Sequence, residues 1–165
     1  NIIKNKLKIT DIRLVIMGVD FGYQNEMFGL IKKLDLSEEI IVIKNPPRDD
    51  VISAYGESEF LILPSQWELS PLVPLESFAF KRPVISTNSH GIPYTVQNNK
   101  NGILVEPENP VQLSDAIAKL LNNSELREKL GLEGYNFVHK ECNCLSMAKN
   151  SLKLYEDVLE NNQNK

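Results

Sequence analysis

One stretch decides the fold predicted for this chain: Trp67-Glu68-Leu69-Ser70-Pro71-Leu72-Val73-Pro74-Leu75-Glu76. An apolar run with strand character leads into it and ends at Pro64, and a helical pattern leaves it and continues to Phe80. Ser70 followed by Pro71 is typical of a helix start, with serine as the N-cap and proline at the first helical position. Pro74 favours a start about one turn later, because proline cannot donate the first helical hydrogen bond. The stretch therefore predicts a strand, a loop and the beginning of a helix.

The beginning of this helix is a candidate anion site. With Ser70 as the N-cap, the free N–H groups of Leu72 and Val73 point out of the helix, where its dipole favours negative charge. The Glu76 side chain leans back toward the same opening, and Glu68 approaches it from the loop. A nucleotide-sugar fits this arrangement, with its diphosphate on the amides and its hydroxyl groups on the carboxylates. A structural reading stays open, because glutamates near a helix start are also favourable with the dipole.

Composition narrows the class of protein. The chain has 165 residues, which favours one domain with a substantial core. Its net charge of −4 argues against nucleic-acid binding, and Cys142 and Cys144 have no second ligand pair that would predict a metal site. No apolar run approaches the roughly 20 residues that cross a bilayer, and no signal peptide is recognisable. We therefore expect a cytoplasmic protein and, because the chain begins at Asn1 without methionine, a fragment of a longer one.

Apolar runs alternate with amphipathic segments along the whole chain. Strands are predicted at 13–19, 39–44, 59–63, 84–87 and 103–105, and helices at 2–8, 26–36, 49–55, 70–80, 92–97, 110–121, 124–130 and 145–159. The strands are continuous apolar runs, which is typical of parallel strands buried on both faces. This order predicts an α/β fold with a doubly wound, Rossmann-like parallel sheet. Ligands bind such sheets at the carboxyl ends of the strands, so the loops 18–22, 44–48, 65–70 and 88–91 should line the site.

Several segments together resemble the signature of the retaining glycosyltransferases of family 4, the group 1 glycosyl transferases. The signature has two glutamates separated by seven residues, followed by a strand and a Gly-x-Pro turn. The matching segments are Pro64-Ser65, Glu68, 72–79, 82–87, Gly91-Ile92-Pro93, and 101–105 with Pro107. The glutamate spacing alone is weakly specific, whereas the ordered set is strongly specific and covers essentially the whole chain.

The resemblance implies the C-terminal half of a GT-B architecture, in which two Rossmann-like domains face a cleft. The N-terminal acceptor domain and the first strand of this domain would then lie before Asn1. The resemblance further implies transfer with retention and without metal from a UDP- or GDP-linked sugar, the leaving diphosphate being stabilised by fixed donors. The acceptor, a sugar or a lipid-linked glycoconjugate, would bind through the missing domain, and the full-length protein would then lie at the inner face of the membrane.

The resemblance also assigns roles to residues of this chain. Glu68 would act at the reacting centre as the catalytic residue, and Glu76 would accept hydrogen bonds from the ribose hydroxyls. Ile43 and Lys44 would contact the base. The sugar and the diphosphate would be held by the segment between the two glutamates, namely Leu69, Ser70, Pro71, Leu72 and Val73.

Three departures from the family pattern keep other functions open. The Gly-Arg…Lys-Gly segment that supplies diphosphate-binding cations in the family is absent and would lie just before Asn1, so this chain alone should bind a donor weakly and should not turn over. Leu69-Ser70-Pro71 stands where the family usually has Gly-Phe-Gly, and Tyr94 stands where it often has glutamate. One alternative is a non-catalytic α/β module that binds a nucleotide or a protein. The other is a GT-B relative such as a nucleotide-sugar epimerase.

Three residues near the predicted site have competing interpretations. His90 fits a contact with the donor sugar and a solvated turn about equally well. Trp67 fits either a residue of the cleft or an anchor of the core, and the edge of the core is favoured. For Arg48, as for Lys44, ordinary solvation is favoured over neutralisation of a phosphate.

Overall fold

The computed structural model of the chain describes residues 1–163. Its strands are β1 (Leu14–Gly18), β2 (Ile40–Lys44), β3 (Leu61–Leu63), β4 (Val84–Thr87) and β5 (Gly102–Val105). Its α-helices are α1 (Gln24–Lys33), α2 (Arg48–Glu57), α3 (Val73–Ala79), α4 (Ile92–Thr95), α5 (Pro110–Leu121), α6 (Ser124–Glu141) and α7 (Cys144–Gln163). A π-helical turn, Ile2–Lys6, precedes β1. The predicted alternation of strands and helices is confirmed.

All strand pairs are parallel, but they form two sheets. In the first, β1 pairs with β2 from Leu14 opposite Ile40 to Gly18 opposite Lys44. In the second, β4 lies between β3 and β5. Within residues 1–163 no strand pairing joins the two sheets. The parallel α/β fold is confirmed. Its strands form two separate sheets, β1–β2 and β3–β4–β5.

Helices cover both faces of the three-stranded sheet. Neighbouring residues of a strand point to opposite faces, so the side chains of Val84 and Ile85 lie in different clusters. Ile85 packs with residues of β5, α5 and α6, and Val84 packs with Phe78 of α3 and Ile92 of α4. A sheet with a core on each side is the expected doubly wound arrangement.

Most helix boundaries differ from the prediction by a few residues, and two of the differences, in α3 and α6, bear on the site. Ser70 is not the N-cap of α3: Leu72 occupies that position, and the first helical bond runs from the Glu76 N–H to the Leu72 carbonyl at 3.0 Å. The alternative with Pro74 in the first turn is therefore confirmed, because a proline there removes no helical bond. Helix α6 continues to Glu141 rather than ending near residue 130.

Helix α6 is capped by Asn123, whose side chain accepts a hydrogen bond from the Leu126 N–H at 2.9 Å. Its interior glycines, Gly131 and Gly134, are buried. A Cβ at Gly131 would lie 2.0 Å from the Lys81 carbonyl oxygen. Close packing against the segment after α3 thus explains a glycine in the middle of this helix.

Candidate functional site

The loop between β3 and α3, residues 64–72, is fixed to the carboxyl end of β4. Three hydroxyl groups donate to carbonyl groups at or just beyond the end of β3: Ser86 Oγ to Leu63 O (2.7 Å), Thr87 Oγ1 to Ser65 O, and Ser89 Oγ to Gln66 O (2.6 Å). These side chains continue the contact between the two strands after their ladder has ended. The loop that carries Glu68 is therefore held at the predicted edge of the sheet.

The Gly-x-Pro turn lies directly against this loop. The Gly91 N–H donates to the Glu68 carbonyl at 2.9 Å. A Cβ placed on Gly91 would lie 1.6 Å from the Leu69 carbonyl oxygen, so only glycine fits this approach. The Glu68 carboxylate, which is half-buried, accepts a hydrogen bond from Ser65 Oγ at 3.2 Å. The first glutamate is thus oriented from both its main chain and its side chain.

The second glutamate is held by two side chains of α2. Arg48 Nη2 donates to Glu76 Oε1 at 2.6 Å, and the Tyr55 hydroxyl donates to Glu76 Oε2 at 2.9 Å. The hydrogen bond from Arg48 is the main reason that the pKa of the Glu76 carboxyl lies below its ordinary value. Burial, followed by the bond to Glu76, raises the pKa of Tyr55. Glu76 is therefore an ionised carboxylate at neutral pH, with both oxygens already accepting.

The start of α3 differs from the predicted anion site in its details. Because Leu72 is the N-cap, the amides of Val73 and Leu75 precede the helical ladder, and Pro74 has no N–H to offer. Of the residues between the two glutamates that were predicted to hold the donor, Pro71 is buried, whereas Leu69, Ser70, Leu72 and Val73 are exposed. Backbone donors without a helical acceptor do lie at this end of the sheet, about half a turn later than predicted.

The residues predicted to contact a base belong to the other sheet. Ile43 lies in β2 opposite Met17, and its side chain is partly exposed. Lys44 Nζ lies 5.2 Å from the centroid of the Phe28 ring in α1. Across residues 1–163, the structure records no hydrogen bond or ion pair from either residue to the loop 64–72. The connection to α3 is made instead by α2, the helix that follows β2, through Arg48 and Tyr55.

The predicted position of Trp67 is wrong. Its side chain is 62% exposed rather than at the edge of the core, and its ring meets the His90 ring edge-on at 5.8 Å. The carbonyl groups on either side of it, those of Gln66 and Glu68, are both bound to the segment after β4. The side chain between these two anchored carbonyls is left pointing outward, beside the exposed His90.

Two residues of this site were not identified from the sequence. Solvation was the favoured interpretation of Arg48, and Tyr55 was not considered. One signal was available: Arg48 is the first residue of α2, where a cation opposes the helix dipole. Tyr55 follows it by seven residues, two turns along the same helix face.

The described residues contain neither a metal-binding cluster nor a helix suited to span a membrane. In that part of the chain, no group of three or more His, Cys, Asp or Glu side chains could hold a metal ion. Cys142 and Cys144 are both free and exposed. Among the helices within residues 1–163, none has the length and apolar character that crossing a membrane requires.

Comparisons with known proteins point to one family. The family model described as Glycosyl transferases group 1 matches residues 2–137. An uncharacterized glycosyltransferase of Methanocaldococcus jannaschii is 32% identical over 140 residues, which cover 85% of this chain and 39% of that protein. The chain thus spans well under half of this curated relative.

Solved structures give the fold. The C-terminal domain of a group 1 family glycosyl transferase from Francisella tularensis superposes with a TM-score of 0.68 at 28% identity, covering 76% of this chain and 65% of that one. The Anabaena protein HepE, solved in complex with UDP, superposes with a TM-score of 0.82 at 15% identity, covering 94% and 44%. The predicted Rossmann-like fold, of the kind found in GT-B glycosyltransferases, is confirmed.

Proposed function

Because the chain belongs to the family of group 1 glycosyl transferases, we propose that it is the donor-binding domain of a retaining, metal-independent family 4 enzyme. That enzyme transfers a sugar from a nucleoside-diphosphate sugar to a polysaccharide or glycoconjugate. One observation carries the proposal: at the carboxyl edge of one parallel sheet, the oriented carboxylate Glu68 precedes a helix start whose Val73 and Leu75 amides have no helical acceptor, and the oriented carboxylate Glu76 lies in its first turn. Ligands bind at this edge in doubly wound folds.

Each residue of the site has a proposed role. Glu68 lies beside the reacting sugar carbon, and the segment from Leu69 to Val73 surrounds the sugar and the diphosphate. The amides of Val73 and Leu75 stabilise the charge of the leaving diphosphate, which no metal then needs to do. Glu76 accepts hydrogen bonds from the ribose hydroxyls, since each of its oxygens has a lone pair left. The base lies toward Ile43 and Lys44, at the end of β2.

A UDP- or GDP-linked donor is proposed. HepE, whose fold this chain shares, was solved with UDP. The neighbourhood of Glu76 suits any ribonucleotide, because the ribose is common to all of them. The preference among bases is left to the residues that follow β2.

The divided sheet supports the proposed domain organisation. Doubly wound folds commonly have the strand order 3-2-1-4-5-6. The pair β1–β2 matches strands 2 and 3, and β3–β4–β5 match strands 4, 5 and 6. We propose that a first strand, encoded before Asn1 in the full-length protein, joins β1 to β3. An acceptor domain preceding that strand would bind a sugar or lipid-linked acceptor at the cytoplasmic face of the membrane.

A second candidate is a non-catalytic module that binds a nucleotide. The exposed side chains of Leu69 and Leu72 favour it, because they occupy space where a donor sugar would approach. The two functions differ in turnover. A full-length protein that binds its preferred donor and never transfers the sugar would be such a module.

Titration calorimetry with UDP, GDP, ADP and CMP tests the binding proposal on this chain. We expect one nucleoside diphosphate to bind best, and Glu76→Gln to weaken it by about ten- to a hundredfold, because hydrogen bonds to a charged group are lost. Glu57→Gln, at an exposed position on α2, is the matched control and should bind as the parent does. Equal affinity of the Glu76→Gln chain and the parent chain, or no binding at millimolar nucleotide, would contradict the proposal.

A further inference from the structure

We propose that Arg48 and Tyr55 are positioning residues for donor binding: they hold the Glu76 carboxylate in one orientation, and Arg48 neutralises its charge beside the diphosphate. This inference rests on the proposed role of Glu76 as the acceptor for the ribose hydroxyls. It adds a role for α2, whose residues the family resemblance leaves without a function.

The geometry leaves the carboxylate ready for a ligand. Arg48 and Tyr55 each occupy one oxygen of Glu76, at 2.6 Å and 2.9 Å. A carboxylate has about four acceptor positions, so one on each oxygen stays free. Two free positions on two fixed oxygens match the pair of neighbouring hydroxyls on a ribose. Because both protein bonds involve an ionised group, they are short and strongly directional.

Tyr55 is itself held in place. It is buried, and its ring stacks on Phe80 with 6.1 Å between the centroids and 20° between the planes. Phe80 is the C-cap residue of α3. Tyr55 therefore contacts α3 at Glu76 and again at its end, so the packing of α2 on α3 sets the orientation of the carboxylate.

Charge explains why an arginine lies here. The side chain of Glu76 is 28% exposed and that of Arg48 is 60% exposed. Without a cation, the carboxylate would repel the diphosphate of a bound nucleotide across a partly screened distance. Arg48 opposes the dipole of its own helix, so helix stability does not account for it, whereas the ion pair with Glu76 does.

The same contacts predict the pH dependence of binding. From α2, Arg48 and Tyr55 face the carboxylate, and Arg48 contributes most to the lowered pKa of Glu76. On the other side of α3, α6 contributes the apolar side chains of Phe137 and Val138 to the cluster around Phe78. Both oxygens of Glu76 can accept hydrogen bonds from hydroxyl groups only when the carboxyl group is ionised. Removing Arg48 raises the pKa of Glu76, so affinity should then be lost at a higher pH than in the parent.

Affinities for UDP and for uridine, measured from neutral to acidic pH, test the inference. We expect Arg48→Met to lower the affinity for UDP by about tenfold and the affinity for uridine by about threefold, because only UDP carries a charge that the Glu76 carboxylate repels. The affinity of the Arg48→Met chain should fall at a higher pH on acidification than that of the parent. Arg48→Lys should retain most of the preference for UDP over uridine. Tyr55→Phe should lower the affinities for UDP and for uridine by similar factors, both smaller than the loss of UDP affinity in Arg48→Met. Arg13→Met is the matched control, since Arg13 is exposed and, within residues 1–163, its one hydrogen bond goes to the carbonyl of Ile12.

A double-mutant cycle separates positioning from direct contact with the ligand. In the Glu76→Gln background, Arg48→Met should change the affinity for uridine, which carries no charge for Arg48 to attract, by less than about twofold. An equal loss of uridine affinity in both backgrounds, or UDP affinity unchanged by Arg48→Met, would overturn the inference while the proposed function stands. A parent chain that binds none of the nucleotides would overturn both. Coincident urea unfolding curves of the variants check that any loss of binding is not a loss of folding.

Discussion

Replacing Gly91 by alanine is expected to lower the free energy of unfolding by about 1–3 kcal/mol, the usual cost of forcing atoms into a packed site. The new Cβ would lie 1.6 Å from the oxygen and 2.5 Å from the carbon of the Leu69 carbonyl. Both atoms belong to the main chain, which cannot rotate away as a flexible side chain would. Gly91 has a φ of −81°, so the obstacle is the lack of space and not the backbone conformation.

The same change should also abolish donor binding. The loop would have to move away from the turn, which breaks the bond from the Gly91 N–H to the Glu68 carbonyl and displaces the first glutamate. Gly29→Ala is the matched control, because a Cβ there meets no atom within 4 Å and lies inside α1. It should stabilise the chain by about 0.5–1 kcal/mol. Urea unfolding and UDP titration of the two variants would contradict this account if Gly91→Ala behaved like Gly29→Ala.

Truncating Phe78 to alanine is expected to lower the free energy of unfolding by about 3–5 kcal/mol, the range for a large buried aromatic side chain. Phe78 is 0% exposed and packs with Val84, Ile92 and Val96 on one face of the three-stranded sheet. A Cβ on Gly134 of α6 would lie 2.3 Å from the Phe78 ring, which shows how closely the two helices pack. The cavity left by alanine would lie directly beneath the helix that carries Glu76.

Phe21→Ala provides the comparison for this effect. Phe21 is 96% exposed, so its truncation should change the free energy of unfolding by no more than about 0.5 kcal/mol. The two variants remove the same atoms from the same chain, and only the surroundings differ. Urea unfolding measures both effects. If Phe78→Ala lowered the free energy of unfolding by less than about 1 kcal/mol while Phe21→Ala was roughly neutral, packing around Phe78 would not be what stabilises α3.

Strands were predictable because a strand buried on both faces appears in the sequence as a continuous, mostly apolar run. The run Val84–Thr87 is predicted and observed with the same bounds, since all four of its residues are buried. Parallel pairing followed from the absence of alternation in such runs. The division of the sheet was not visible, because which strands pair depends on contacts between residues far apart in the chain.

Helix boundaries were less predictable where tertiary contacts set them. A local preference for Ser-Pro favoured a start at Ser70, but the loop is fixed by hydroxyls after β4 and by Gly91, and the helix begins only at Val73. Helix α6 was predicted to end at residue 130, directly before its interior glycines, Gly131 and Gly134. In the structure they provide room for Phe78 and the Lys81 carbonyl.

The two glutamates were identifiable from their places around the predicted helix start and from the ordered set of motifs, whereas their partners were not. Arg48 and Tyr55 precede Glu76 by 28 and 21 residues, and no local pattern connects them. Only the packing of α2 on α3 brings the three side chains together. The position of Trp67 was predicted wrongly for a related reason. A large apolar side chain usually favours the core, but here the carbonyl groups of Gln66 and Glu68 are bonded to the segment after β4, and the side chain between them points outward.

The most direct test of the proposed donor site is an NMR titration of the ¹⁵N-labelled chain with UDP. We predict that the largest shift changes occur in the loop 65–72, at the amides of Val73 and Leu75, in the turn 88–94, and at the start of α2. These segments meet at the carboxyl edge of β3 and β4. Shift changes concentrated elsewhere, for example around the junction of α6 and α7, with these segments unaffected, would contradict the account.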